Sequence, residues 1–232
     1  MNVLELFAGS RSIGKIAEKL GYNVFSSDIN DFEGIDYVVS ILDFDINEIP
    51  FVPDIIWASP PCTTYSVLAL HHHRNGIWPK TKAAVLGDRI TLATNTIVRE
   101  LQSINPELVY YIENPRGMMR KMPFMWHHPI RRTVTYCQYG FSYMKPTDIW
   151  TNNIAWKPRK ACNNGDPCHE KAERRKPDGF SQTGLVAKKN NYERSKLPPE
   201  LCQEVLTAQH DLAPIQLPLF DLPFNQTYIR NE

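Results

Sequence analysis

The sequence predicts an α/β fold in which helices cover both faces of a mostly parallel, twisted sheet. The first observation is that short apolar runs alternate with segments of helical periodicity over the first half of the chain. The second is that 232 residues, 42% of them hydrophobic, are enough for one substantial core and too few for two. We therefore expect one domain with an appendage.

The first βαβ unit spans residues 2–28. The strand "NVLELF" is followed by "SIGKIAEKLG", in which four apolar residues lie at helical spacing before Gly21, a natural helix stop, and then by the strand-like "YNVFSSD". The later strands are "YVVSILD", "DIIWAS" and "LVYYIEN". Before the last of these, a helix is expected around residues 86–104, with an apolar stripe of Leu86, Ile90, Ala93, Ile97, Leu101 and Ile104.

Ligands of such sheets bind beyond the carboxyl ends of the strands. The first strand ends in the turn "FAGSRSIG", the second at Asp28, the third at Asp43, the fourth at "SPPC" and the fifth at "ENPR". An acid about twenty residues after a glycine turn is well placed to bind ribose hydroxyls. For Asp28 or Asp43 taken singly, a role as a helix cap or as a loop solubiliser is the alternative.

The distribution of charge and the number of cysteines indicate the type of partner and the cellular compartment. Residues 157–196 hold eleven Lys or Arg against five Asp or Glu, so one face is expected to attract polyanions, the alternative being an ordinary solvated loop. The sequence predicts a reducing, cytoplasmic location. It has five cysteines, an odd number, no secretory leader pattern, and no apolar run of the ~20 residues that span a bilayer.

The motifs together resemble a known family. "ELFAGS", an acid after the second strand, "SPPC" with "YS" three residues later, and "EN" after the fifth strand arrive in the order and spacing of the DNA cytosine (carbon 5) methyltransferases. The resemblance covers about residues 1–150, and "LPPELCQEVL" resembles the last family motif. The chain departs from the family pattern at Arg11 and Ser12, where glycines are usual, in "ENPR" and in "QYGF". It also has only about fifty residues for target recognition.

The resemblance implies a Rossmann-like fold that uses S-adenosylmethionine. Cys62 would be the nucleophile and Glu113 the acid, supported by Asn114, because a thiolate that adds to carbon 6 of cytosine activates carbon 5. The alternative for Cys62 is a small buried apolar residue. The cofactor residues would be Phe7, Ala8 and Gly9 beside the methionine portion, Asp28 at the ribose, Asp43 at the adenine edge, and Ser59 and Pro60 at the pocket wall.

The expected partner is double-stranded DNA with an extruded cytosine. Residues 63–82 would form a loop over Cys62, in which the histidines, Arg74 and Lys80 contact phosphates. Two alternatives remain: modification of a free cytidine nucleotide, and a catalytically silent DNA- or clamp-binding protein on the same scaffold.

The predicted organisation has four parts. Residues 1–150 form the catalytic domain, residues 151–192 a small basic DNA-recognition insertion, residues 193–210 a returning helix, and residues 211–232 a flexible tail. In the insertion, Cys162, Cys168 and His169, with Cys137 as a possible fourth ligand, could hold zinc. Their spacing is not that of a standard finger, so an ordered loop with free thiols is favoured and no metal ligand is assigned.

The tail carries one further motif. "QLPLF" resembles the short peptide by which bacterial replication proteins bind the sliding clamp. A tail that folds back on its own domain is the equal alternative. The residues that would contact the clamp are Gln216, Leu217, Leu219 and Phe220.

Overall fold

A computed structural model describes residues 1–170, 191–208 and 214–215. The strands are β1 Asn2–Leu6, β2 Asn23–Asp28, β3 Tyr37–Val38, β4 Ile55–Ala58, β5 Arg74–Asn75, β6 Trp78–Pro79, β7 Val109–Pro115, β8 Ile130–Thr135 and β9 Pro146–Thr151. The α-helices are α1 Ser12–Lys19, α2 Leu70–His73, α3 Lys82–Ile104, α4 Asn191–Ser195 and α5 Pro199–Thr207. Short 3-10 turns lie at Ile46–Glu48, Met118–Lys121, Pro123–Met125 and Tyr136–Tyr139.

Seven strands form one sheet in the order β3-β2-β1-β4-β7-β9-β8. The neighbours from β3 to β7 are parallel, and β9 runs antiparallel to both β7 and β8. This arrangement confirms the predicted Rossmann-like, mostly parallel sheet. Strands β5 and β6 form a separate two-stranded hairpin.

Helices cover both faces of the sheet because successive side chains of a strand point to opposite sides. Val3 of β1 packs in the core cluster that contains Ile13 of α1 and Leu201 of α5. Leu4 belongs to the cluster on the other face, with Val98 of α3. Helix α5 packs against α1, as a returning helix would. Among the described residues, no helix combines the length and the apolar character that crossing a bilayer requires.

The expected apolar stripe of α3 is wrong in part. Leu86 is 45% exposed and Ile104 is 54% exposed, whereas Ile97 and Leu101 are buried as predicted. The buried face carries polar side chains instead, among them Asp88 and Asn95. These groups have hydrogen-bond partners on other segments, and such partners remove the usual cost of burying them.

The third strand is shorter than predicted. It ends at Val38, so Asp43 does not end a strand but lies in the following turn, where its backbone N–H donates to the Ser40 carbonyl. Strand β3 pairs with β2 over only two residues, and the rest of "YVVSILD" lies outside the sheet.

Candidate active site

Four neighbouring strands bring most of the predicted site residues to one edge of the sheet. Strands β2, β1, β4 and β7 are adjacent and parallel, and their carboxyl ends lead into Asp28, the turn 7–11, the segment 59–66 and the segment 113–117. Parallel strands place such ends side by side. The edge therefore joins the glycine turn, Cys62 and Glu113 in one region.

The turn after β1 is built from left-handed backbone conformations. Phe7, Gly9 and Arg11 have φ values of 58°, 46° and 52°. A Cβ added at Gly9 would lie 3.9 Å from Asp28 Oδ2 and from the Phe7 carbonyl oxygen, which are ordinary van der Waals contacts, so the positive φ and not crowding is what favours glycine here. Arg11 occupies a position where the family usually has glycine, and glycine adopts this conformation at lower cost.

Asp28 holds this turn in place. Its Oδ2 accepts a hydrogen bond from the Gly9 N–H at 3.0 Å, and its Oδ1 accepts from the backbone N–H of Asn30 at 2.9 Å and from its side-chain amide at 3.2 Å. A carboxylate offers about four acceptor positions. Asp28 therefore retains capacity for about one more donor, such as a single ribose hydroxyl.

The other predicted cofactor residues take different positions. Asp43 is exposed. Ala8 is buried, and its N–H donates to the Ser27 carbonyl at 3.0 Å. The Ser59 hydroxyl accepts from the indole N–H of Trp57 at 2.9 Å. The Pro60 carbonyl accepts from the side-chain amide of Asn114.

Cys62 and Glu113 are held in adjacent segments. The Cys62 carbonyl accepts from the N–H groups of Tyr65 and Ser66, at 3.0 and 2.9 Å, and this turn leaves the thiol partly exposed. Asn114 Nδ2 donates to the Pro60 carbonyl at 2.8 Å and so ties the carboxyl end of β7 to the segment that carries Cys62. Asn114 Oδ1 is buried and has no hydrogen-bond partner among the described residues.

The electrostatics of the two groups are coupled. Burial raises the pKa of the Cys62 thiol, the charge of Glu113 raises it further, and the charge of Lys145 lowers it. The neutral thiol is therefore favoured in the ligand-free site, since the first two effects disfavour the thiolate. Glu113 is only 5% exposed, and its Oε1 accepts a hydrogen bond from the Tyr136 hydroxyl at 3.0 Å.

Two residues of this site were missed in the sequence. They are Lys145 and Tyr136. Lys145 is buried, and its ammonium group donates to the Arg194 carbonyl at 3.0 Å and lies 4.6 Å from the centre of the Tyr136 ring. Both residues flank the antiparallel pair β8 and β9, which the sequence interpretation did not include. A strand prediction over 130–135 is the signal that would have placed Tyr136 at a strand end.

Arg74 corrects the expected phosphate contact of the loop 63–82. Its side chain is fully buried, with Nη2 2.6 Å from Asp88 Oδ1, and its guanidinium lies 4.4 Å from the centre of the Tyr65 ring. Its Nε donates to the Thr64 carbonyl at 3.0 Å. Arg74 therefore fastens the segment after Cys62 to α3 and is not available to DNA. Lys80 is exposed and donates to the His71 carbonyl.

The two loops of the site touch through a glycine. A Cβ at Gly117 would lie 2.4 Å from the Tyr65 carbonyl oxygen, which accepts the Met118 N–H at 2.8 Å. Only glycine permits this approach, so Gly117 helps to fix the distance between the Cys62 and Glu113 segments.

A comparison with known proteins decides the family. A protein of Frog virus 3 (isolate Goorha), described as "Probable DNA (cytosine-5)-methyltransferase", is 31% identical over 176 residues, which are 72% of this chain and 78% of the relative. This chain belongs to the DNA (cytosine-5)-methyltransferase family. No family profile matches the chain.

Solved structures are less similar. The Schizosaccharomyces pombe Dnmt2 methyltransferase gives a TM-score of 0.44 at 13% identity, covering 69% of this chain and 52% of that protein. A Spodoptera frugiperda DNMT2 mutant gives 0.42 at 18% identity, covering 70% and 53%. The chain thus spans about half the length of these two proteins. The fold assignment rests on the sheet order itself.

Proposed function

We propose that the protein transfers a methyl group from S-adenosylmethionine to carbon 5 of cytosine in DNA, through a covalent adduct with Cys62. The observation that carries the proposal is the position of Cys62 beside Glu113: the Asn114 side-chain amide donates to the Pro60 carbonyl at 2.8 Å and so joins the end of the strand that carries Glu113 to the segment that carries Cys62. A nucleophile beside an acid is what addition to a cytosine ring requires.

The residues at the sheet edge fit the cofactor. The glycine turn lies against Asp28, whose carboxylate holds the Gly9 N–H and retains an acceptor position for a ribose hydroxyl. Asp28 also places a negative charge at an edge that would receive a cationic sulfonium compound. When bound, S-adenosylmethionine supplies an electrophilic methyl group.

Cys62 performs the addition step. Its sulfur forms a bond to carbon 6 of the ring, and the electrons of the 5,6 double bond move toward carbon 5, which becomes nucleophilic. Because the pKa of the thiol is raised, its proton has to pass to solvent water as the base binds, and the positive charge of Lys145 favours the resulting thiolate. After methylation of carbon 5, a water molecule takes the proton from that carbon, the electrons of the broken C–H bond restore the 5,6 double bond, and the Cys62 sulfur leaves carbon 6 as a thiolate.

Glu113 serves the ring nitrogen in the same step. Tyr136 occupies its Oε1, which leaves Oε2 for a proton that the carboxylate takes up from solvent as the base binds and shares with ring nitrogen 3. Donation there withdraws electrons from carbon 6 and makes it easier to attack. The buried, unpaired Asn114 Oδ1 is a further acceptor beside this group, and the exocyclic amine of cytosine is a donor of the matching kind.

DNA is the proposed macromolecular substrate, with the cytosine extruded from the duplex. A base inside a helix cannot reach a thiol that lies at the end of a sheet. Exposed basic side chains that follow the site segments, Arg116 and Lys121, are available for phosphates in place of Arg74.

Label transfer tests the function. The protein is incubated with cofactor that carries a labelled methyl group and with either duplex DNA or free dCMP, and 5-methylcytosine is measured by mass spectrometry. We expect product in duplex DNA only, and none with Cys62→Ser. The control Cys202→Ala removes a buried thiol of α5 and should keep activity. Product from dCMP alone would favour the nucleotide alternative, and DNA binding without any product would favour a silent scaffold.

The clamp motif remains a separate proposal. Gln216, Leu217, Leu219 and Phe220 lie outside the described residues, so the support for it is the sequence alone. A peptide of residues 212–224 should bind a bacterial sliding clamp, and replacing Leu219 and Phe220 by alanine should abolish binding without changing methylation of short oligonucleotides. Loss of short-substrate activity in that variant would contradict the proposal.

A further inference from the structure

Four side chains outside the candidate active site converge on one point. They come from the turn after β8 and from the segment after β9, and their potential ligand atoms all lie within 4.8 Å of one another. They are Cys137, Cys162, Cys168 and His169. Cys137 and His169 are buried, and the other two are partly exposed.

Three of four distances among these atoms match the edges of a tetrahedral site. Zn–S and Zn–N bonds of about 2.3 and 2.0–2.1 Å imply edges of roughly 3.8 Å between two sulfurs and roughly 3.6 Å between sulfur and nitrogen. The Cys168 and Cys137 sulfurs are 3.7 Å apart, and His169 Nδ1 lies 3.7 Å from Cys162 Sγ and 3.5 Å from Cys168 Sγ. The sulfurs of Cys137 and Cys162 are closer, at 3.1 Å.

Backbone hydrogen bonds shape the loop around this cluster. The Cys162 N–H donates to Thr135 Oγ1 at 3.1 Å, which holds the first ligand of the loop against the end of β8. The Glu170 N–H donates to the Ser142 carbonyl at 2.8 Å and fixes the end of the loop. These two hydrogen bonds hold Cys162 and the end of the loop in place apart from any contact among the thiols.

The chemical types of the four ligand atoms indicate which metal ion the cluster would bind. Three thiolates and one imidazole in a closed tetrahedral arrangement are typical of structural zinc sites, whereas carboxylate-binding ions such as Mg²⁺ prefer oxygen. A disulfide would require two sulfurs at about 2.05 Å, which is shorter than any pair in the cluster.

We propose that Cys137, Cys162, Cys168 and His169 bind one structural Zn²⁺ ion, the histidine through Nδ1. The local geometry favours zinc over the free thiols that the sequence spacing suggested. Binding deprotonates the three thiols and releases their protons to solvent. The Gly165 N–H points at His169 Nε2 from 3.3 Å, and this weak hydrogen bond is lost on loading because the ring proton then resides on Nε2.

The site would anchor the start of the basic insertion to the catalytic sheet. Cys137 follows Tyr136, whose hydroxyl donates to Glu113, so the same turn carries one zinc ligand and one contact of the candidate acid. Zinc would thereby stabilise the turn as well as the loop. The inference does not depend on the proposed catalysis.

Metal analysis of the purified full-length chain tests the site. After expression with added zinc and desalting, we expect about one zinc per wild-type chain and fewer than about 0.2 per chain for Cys162→Ser. The matched control Cys62→Ser removes a thiol outside the cluster and should retain the full zinc content. Wild-type protein without zinc, or equal zinc in the Cys162→Ser variant, would overturn the proposal.

A second measurement covers the case in which the variant fails to fold. X-ray absorption on the wild-type protein should show three sulfur neighbours and one nitrogen neighbour around zinc, at about 2.3 and 2.0–2.1 Å. A shell of oxygen and nitrogen only, or a disulfide between Cys137 and Cys162 found by mass spectrometry of protein purified under reducing conditions, would contradict the proposed site.

Discussion

The buried ion pair between Arg74 and Asp88 should carry much of the stability of the segment after Cys62. Its side chains are 0% and 11% exposed, and the two carboxylate oxygens accept from Nη2 at 2.6 Å and from Nη1 at 3.1 Å. Asp88→Asn keeps the size of the side chain but leaves the guanidinium charge buried without its partner. Removing one partner of a buried pair costs about 3–5 kcal/mol. For a chain of this length, that cost lowers Tm by roughly 6–20 °C.

Urea and thermal denaturation measure this loss against two controls. Glu193→Gln breaks the solvent-exposed pair with Lys196 and should change the free energy of unfolding far less than Asp88→Asn does. Replacing both buried partners, Arg74→Met with Asp88→Leu, should recover most of the loss, because no uncompensated charge remains. If Asp88→Asn costs no more than Glu193→Gln, the assigned role of the pair is wrong.

Three further predictions concern charge at the sheet edge. Burial raises the pKa of Glu5 to about 7. The stability that the protonated carboxyl group contributes is therefore fully present below about pH 4.5 and is lost as the pH rises through 7, by about 3 kcal/mol. Glu5→Gln should remove this difference in the free energy of unfolding between urea titrations at about pH 5 and about pH 8. Glu113→Gln should speed alkylation of Cys62, because the Glu113 charge raises the pKa of the thiol, and Lys145→Met should slow it, because the Lys145 charge lowers that pKa. The alkylation rates are measured by mass spectrometry of the Cys62 peptide, and rate changes of the same sign in both variants would refute the electrostatic coupling. Asp28→Ala should weaken cofactor binding by about 1–3 kcal/mol in calorimetry, and unchanged affinity would exclude Asp28 from the ribose site.

Local patterns were sufficient for the elements that carry the site. The alternation of apolar runs and helical periodicity predicted β1, α1, β2, β4 and β7, because a strand buried on both faces is apolar along its whole length. The strand ends then followed, and with them the neighbourhood of Gly9, Asp28, Cys62 and Glu113.

Long-range pairing explains what local patterns missed. Arg74 is buried because Asp88 and Tyr65 surround it, and nothing in a basic loop segment indicates such partners. The sequence suggested Cys137 as a possible partner of Cys162, but only the tertiary contact between the turn after β8 and the segment after β9 brings the two sulfurs together. Tertiary contacts also placed polar side chains on the buried face of α3.

Trapping of the covalent adduct tests the central claim most directly. In duplex DNA of mixed sequence that carries 5-fluorocytosine, fluorine at carbon 5 cannot leave as a proton does, so the enzyme should stay bonded to carbon 6 after methyl transfer. With cofactor present, we predict a complex that survives denaturing electrophoresis and a peptide that bears the modified base on Cys62. No such complex should form with Cys62→Ser. Methylation of ordinary cytosine by a protein that forms no adduct, or an adduct on another cysteine, would contradict the account.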